Sequence, residues 1–93
     1  MKISASEQVQ NWLVALPPDT KKRVRRALRE LEKGKGDIKP LHKELAGWSR
    51  LRVGGLRIVF RPLPGQIIRL QYADTRDVVY ENFLKVLARR SLE

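Results

Sequence analysis

Residues 50–61 read RLRVGGLRIVFR. Apolar and basic residues alternate on both sides of Gly54-Gly55, the pattern of two antiparallel strands joined by a tight turn. Successive side chains of a strand point to opposite faces. Leu51, Val53, Ile58 and Phe60 therefore share one face, and Arg50, Arg52, Arg57 and Arg61 share the other. Guanidinium groups are not buried without partners, so the arginine face is expected to look outward.

Further along, Pro62-Leu63-Pro64-Gly65 supplies a second turn. A third alternating segment then places Ile68, Leu70 and Tyr72 with the apolar face, and Ile67, Arg69 and Gln71 with the arginines. The result is a three-stranded antiparallel meander, with Lys2-Ile3-Ser4 a candidate short edge strand. Upstream the period changes from two to 3.6. Val9, Trp12, Leu13 and Leu16 fall at i, i+3, i+4 and i+7, as do Val24, Ala27, Leu28 and Leu31. Ser4 or Ser6 caps the first helix, Pro17-Pro18 ends it, Asp19 or Thr20 opens the second, and Gly34 and Gly36 close that one. Residues 36–48, GDIKPLHKELAGW, read as a connecting loop, and Val79, Phe83, Val86 and Leu87 as one face of a short C-terminal helix. The fold class is α+β: one domain over 1–93, with an N-terminal helical hairpin packed on the apolar face of a small twisted antiparallel sheet.

Composition narrows the function. Ninety-three residues suit a single small core, and 42% hydrophobic content is enough to build it. No apolar run approaches the ~20 residues of a membrane span, and MKISASEQVQNW lacks the apolar core of a secretory signal. A cytoplasmic protein with no membrane partner is expected. With no cysteine and a single histidine, His42, neither a disulfide framework nor a thiolate or histidine metal site can be built, and no cofactor is expected. Twenty Lys/Arg against ten Asp/Glu leave +10, which calls for an anionic partner. The second helix contributes Lys21, Lys22, Arg23, Arg25, Arg26, Arg29 and Lys33, a face that is either a binding surface or merely solvated.

Five like charges on one small sheet face (Arg50, Arg52, Arg57, Arg61 and Arg69) repel one another and make sense when a polyanion lies across them. Carboxylates are too scattered for a two-metal centre, and no Gly-rich phosphate loop occurs. Arginines and tyrosines are nonetheless sufficient to cleave RNA without metal. As the 2′-hydroxyl attacks the adjacent phosphate, fixed guanidinium groups stabilise the charge of the transition state, and a tyrosine exchanges a proton with a reacting oxygen. The same basic sheet equally suits plain nucleic-acid binding.

Taken together, LHKELAGWSRLRVGGLRIVFR and IIRLQYADTRDVVY resemble the RelE/ParE superfamily of type II toxin–antitoxin toxins. The resemblance rests on Leu51-Arg52, on Gly55-Leu56-Arg57-Ile58-Val59-Phe60, and on Arg76 followed four positions later by Tyr80, and its order covers nearly the whole chain. For RelE-type members it implies a metal-independent, ribosome-dependent endoribonuclease that cuts translated mRNA. Carried over by position, the catalytic residues would be Arg57, Arg76 and Tyr80. Arg50, Arg52, Arg61 and Arg69 would bind RNA phosphates, the first two by position in the family pattern and the last two by their place on the basic face. The chain departs from the pattern at Thr75, where many members carry histidine, and at Asp74, where a basic residue is usual. Trp48 stands where a lysine occurs, and Leu56 replaces a common aromatic. ParE-type members share the sheet without the nuclease residues and act on DNA gyrase, which is the second reading; a non-catalytic nucleic-acid-binding module is the third. The resemblance further implies a cognate antitoxin protein, the ribosome and mRNA as partners, and operator DNA reached only through the antitoxin.

Overall fold

The computed structural model describes residues 1–91. Ser6 opens helix α1 (Glu7–Ala15): its buried hydroxyl accepts from the Val9 N–H at 3.2 Å and donates to the Gln71 carbonyl at 2.8 Å. One side chain thus caps the helix and fastens it to the sheet. Leu16 turns extended, and Pro18 takes the first position of α2 (Pro18–Glu32), where a missing N–H costs nothing. Gly34, at φ +75°, ends α2: its N–H returns to Leu31 and that of Lys35 to Glu30, each at 2.9 Å. A left-handed residue at this point is what glycine permits.

The sheet has five strands in the order β1-β5-β4-β3-β2, namely β1 (Lys2–Ala5), β2 (Ile38–Pro40), β3 (Ser49–Val53), β4 (Leu56–Leu63) and β5 (Ile67–Thr75). The antiparallel meander β3-β4-β5 is present in the register that alternation predicts, with Arg52 opposite Arg57 and Leu51 opposite Ile58. Two features differ from the sequence reading. β1 runs parallel to β5, so the sheet is mixed rather than wholly antiparallel. The segment read as a loop, 36–48, contains β2, antiparallel to β3, and a short 3-10 turn at Lys43–Leu45. A three-residue strand carrying Pro40 is too short to show a period, and it is tolerated because β2 lies at the sheet edge.

A third difference has larger consequences. Val59 pairs with Tyr72 but Phe60 pairs with Leu70, so Gln71 is an extra residue in β5. Such a bulge breaks the alternation and sends everything beyond it to the other face. Tyr72, expected beside Ile68 and Leu70, joins the arginine face instead. Beyond the bulge, where β1 no longer accompanies β5, the Gln8 side chain replaces it: its amide donates to the Ala73 carbonyl at 2.7 Å and accepts from the Ala73 N–H at 2.9 Å.

Both faces of the sheet are consequently covered. On one, α1 and α2 enclose Val9, Val24, Leu31, Leu51, Ile58, Phe60, Ile68 and Leu70. On the other, α3 (Val79–Ser91) packs Val79 and Phe83 against Leu45, Trp48 and Val59, with Tyr72, Tyr80 and Leu87 at the margin. Phe83 meets Trp48 edge-on at 5.1 Å and stacks on Tyr72 at 5.8 Å. Full burial of an aromatic or branched side chain is worth about 1.5–3 kcal/mol, so α3 is an integral wall of the domain. The arginine face is therefore not a bare basic floor. It is a second core with arginines around its edge.

Candidate functional site

The register sorts the arginine face into rows. Arg52, Arg57 and Asp74 form the row nearest the Gly54-Gly55 turn; Lys39, Arg50, Val59 and Tyr72 form the next; Arg61, Arg69 and Ser4 lie beyond the second core. Arg61 lies four positions beyond Arg57 along β4, roughly 13 Å at the rise of an extended strand.

The row at the turn places two guanidinium-bearing residues, Arg52 and Arg57, directly opposite one another. Arg57 is half-buried, and its Nη1 donates to the carbonyls of Gly54 at 2.8 Å and Leu56 at 2.9 Å. Those bonds hold the guanidinium in place, while its Nε and Nη2 meet no acceptor among the described residues. Arg52, directly across, is exposed, with Nε 4.0 Å from Asp37. The Arg76 N–H donates to the Gly55 carbonyl at 2.9 Å, which ties the β5–α3 corner to the same turn; its side chain is exposed and 3.6 Å from Asp77. The Arg57 guanidinium thus packs on the turn, with Arg52 opposite it in the strand pair and the Arg76 backbone anchored to Gly55.

Beside them lies a hydrogen-bonded trio invisible to the sequence pattern. Asp74 Oδ2 accepts from the Tyr72 hydroxyl at 3.1 Å and from Asn82 Nδ2 at 3.0 Å, and Oδ1 accepts from the Thr75 N–H at 2.8 Å. Both oxygens of the carboxylate are engaged, so Asp74 organises the corner. Burial, and then the hydrogen bond and negative charge of Asp74, push the Tyr72 phenol above its ordinary value, against a smaller opposing effect of Asn82. Tyr72 holds its proton near neutral pH. Tyr80 sits half-buried at the margin of the second core, and its hydroxyl has no hydrogen bond among the described residues.

Other arginines expected at the site have different surroundings. Arg50 is 9% exposed, and its Nη1 donates to Asp37 Oδ1 at 3.0 Å and to the Asp37 carbonyl at 2.8 Å. That hydrogen bond, aided by the charges of Arg50, Arg52 and Lys39, holds the Asp37 carboxyl below the usual range despite some desolvation. Arg50 is a partnered structural cation that clamps β3 to the segment leading into β2. Arg61 lies over the Trp48 ring at 4.4 Å, a cation–π contact, which gives the tryptophan at this position a packing role. Arg69 donates to Ser4 Oγ at 2.7 Å, bridging β5 to β1. Gln71, with its amide oxygen turned toward α3, accepts from Arg90 at 3.0 and 3.2 Å. Sequence reasoning missed Asp37, Tyr72 and Asn82, because each matters through a partner distant in the chain. Among the described residues no three His, Cys, Asp or Glu side chains gather into a metal site, and no helix is long and apolar enough to cross a membrane.

No family model matches the sequence, and no curated protein does. Solved structures do. The chain is similar to the RelBE2 toxin–antitoxin complex from Mycobacterium tuberculosis, at 25% identity and TM-score 0.60 over 81% of this chain and 96% of that one. It is similar to the RelB–RelE antitoxin–toxin complex from Methanococcus jannaschii, at 24% identity and TM-score 0.62 over 89% and 99%. The YoeB–YefM complex from Staphylococcus aureus follows at 16% identity and TM-score 0.65 over 82% and 97%. These neighbours are toxins of type II toxin–antitoxin systems, and the fold is that of the RelE/ParE-like superfamily.

Proposed function

From a fold shared with toxin–antitoxin toxins, we propose that this chain is the toxin of a type II pair and a metal-independent endoribonuclease acting on ribosome-bound mRNA. The observation that carries the reading is the row at the Gly54-Gly55 turn, where Arg57 is fixed by two carbonyls with its remaining donors free, flanked by Arg52 and Arg76.

The chemistry follows from those groups. The substrate 2′-oxygen attacks phosphorus, the bond from phosphorus to the 5′-oxygen breaks, and a cyclic phosphate and a free 5′-hydroxyl result. Negative charge builds on the non-bridging oxygens, where the Arg57 fork meets it; Arg52 and Arg76 hold neighbouring phosphates. Arginine keeps its proton, so a phenol gives its proton to the departing 5′-oxygen, the 2′-hydroxyl proton passes to solvent, and solvent returns a proton to the phenolate. Tyr80 is that phenol, because its hydroxyl is uncommitted whereas that of Tyr72 is held by Asp74. The partner that silences such a toxin is a cognate antitoxin, and an acidic chain complements a +10 surface.

Primer extension on a translated reporter mRNA after induction tests the reading. Cleavage at fixed codon positions is expected, with loss of the cut ends and of growth arrest in Arg57→Ala and Tyr80→Phe. Growth arrest with intact ribosome-bound mRNA and stalled gyrase–DNA complexes would instead assign the chain to the gyrase-directed class. Salt-sensitive binding to nucleic acid without growth arrest would leave only a binding module.

A further inference from the structure

The Gly54-Gly55 turn is approached from a second side. The Arg23 guanidinium reaches across from α2, and its Nη2 lies 2.7 Å from where a side chain on Gly54 would begin, with Cζ at 3.7 Å and Nη1 at 3.9 Å. Gly54 has φ +58° and no side chain, so the cation sits directly against the backbone of the turn. Two guanidinium groups from separate parts of the fold, those of Arg23 and Arg57, thereby meet at Gly54, with Arg52 paired across from Arg57 and the Arg76 backbone tied to Gly55.

The acidic groups nearby reach Arg52 and Arg76 but, among the described residues, pair with neither Arg57 nor Arg23. Asp74 is held by Tyr72, Asn82 and Thr75, Asp77 lies near Arg76, and Asp37 pairs with Arg50 and lies 4.0 Å from Arg52. Arg23 has neither an ion pair nor a hydrogen bond among the described residues. Along α2 and at its C-terminal cap, Lys21 donates to the Val14 carbonyl at 3.2 Å and Lys33 pairs with Glu30 at 3.7 Å. Two cations that meet at one turn without a carboxylate partner, as Arg23 and Arg57 do, raise the energy of the free protein and are relieved by a bound polyanion.

We propose that Arg23 binds a backbone phosphate of single-stranded RNA next to the one held by Arg57, so that the strand crosses the hairpin tip from the sheet toward α2. The proposal deepens the nuclease reading and rests on it for the choice of RNA. A short single-stranded oligonucleotide with 2′-O-methyl riboses, which cannot be cleaved, is the probe, titrated against the whole chain over a range of salt. Arg23→Gln is expected to lower affinity about five- to tenfold at low salt and to reduce the salt slope by about 0.7, the signature of one lost phosphate contact on a single strand. Arg29→Gln removes the same charge from the same helix beside Glu32 and Met1, away from the turn, and is expected to leave the slope unchanged. Gly54→Ala, which displaces the guanidinium, is expected to reproduce part of the Arg23→Gln loss in protein with an unaltered circular dichroism spectrum. Equal slopes for the Arg23 and Arg29 variants would overturn the proposal, as would an equal loss of affinity for a poly-glutamate peptide. Arg23-dependent RNA binding in a protein that cuts no ribosomal mRNA would retire the nuclease and retain the phosphate contact.

Discussion

Arg57 donates through one nitrogen to two carbonyls and leaves the rest of its fork free, whereas Arg50 is clamped to Asp37. The same residue type, two positions from Arg52 in one case and opposite it in the other, thus serves different purposes, and substitution separates them. Arg57→Lys keeps the charge but loses the planar fork; under the proposed nuclease function, mRNA cleavage is expected to fall by about 10²-fold or more, with the melting temperature unchanged. Arg50→Ala removes two charge-assisted hydrogen bonds and is expected to cost about 2 kcal/mol in urea unfolding, against less than about 0.5 kcal/mol for exposed Arg52→Ala. Titration offers a further check. The raised Tyr72 phenol means that both states are protonated below pH 10, the ordinary value, and only the unfolded chain ionises just above it. Its contribution is complete below pH 10 and is lost as pH rises through the folded value, so Tyr72→Phe is expected to flatten the alkaline limb of a stability profile. For Asp37 the sign reverses: its contribution is present above pH 3.8 and is lost as pH falls through the depressed folded value. Which arginine would be free and which clamped was not legible, because the clamp is made by a side chain outside the strand pair.

Among the elements, the β5 bulge does most to shape the site. By moving Tyr72 across the sheet it supplies the second core with a ring and Asp74 with a hydroxyl donor. Deleting Gln71 removes the bulge and leaves Leu70 opposite Phe60 and Tyr72 opposite Val59, so the near-ultraviolet circular dichroism of the Trp48–Phe83–Tyr72 cluster is expected to be retained, whereas inserting a second residue beside Gln71 is expected to abolish it. Ser6→Ala removes the α1 cap and the bond to Gln71, and a loss of about 1–2 kcal/mol by thermal unfolding is expected. Helices α1 and α2 and the three meander strands were visible in the sequence because each carries a long, unbroken period. β2 and the bulge were not, since three residues establish no period and one inserted residue inverts it.

For the whole molecule, the decisive feature is that both sheet faces are covered, by helices from opposite ends of the chain. Phe83 is wholly buried in the second core, so Phe83→Ala is expected to cost about 3–5 kcal/mol in chemical denaturation. That is a large part of the roughly 5–15 kcal/mol that holds a domain together, whereas truncating Val14, 75% exposed, is expected to change little.

Read alone, the sequence determined the fold class, the RLRVGGLRIVFR hairpin with its register, the helical hairpin, and the concentration of positive charge. Each of these follows from local periodicity or from a sum over residues, and neither needs knowledge of distant partners. Only the tertiary structure decided that α3 fills the middle of the arginine face, that Asp37 takes Arg50, that Asp74 gathers Tyr72 and Asn82, and that Arg23 reaches the glycine turn from the far side of the sheet. Those are pairings between segments far apart in the chain, and packing, rather than spacing along the backbone, selects them.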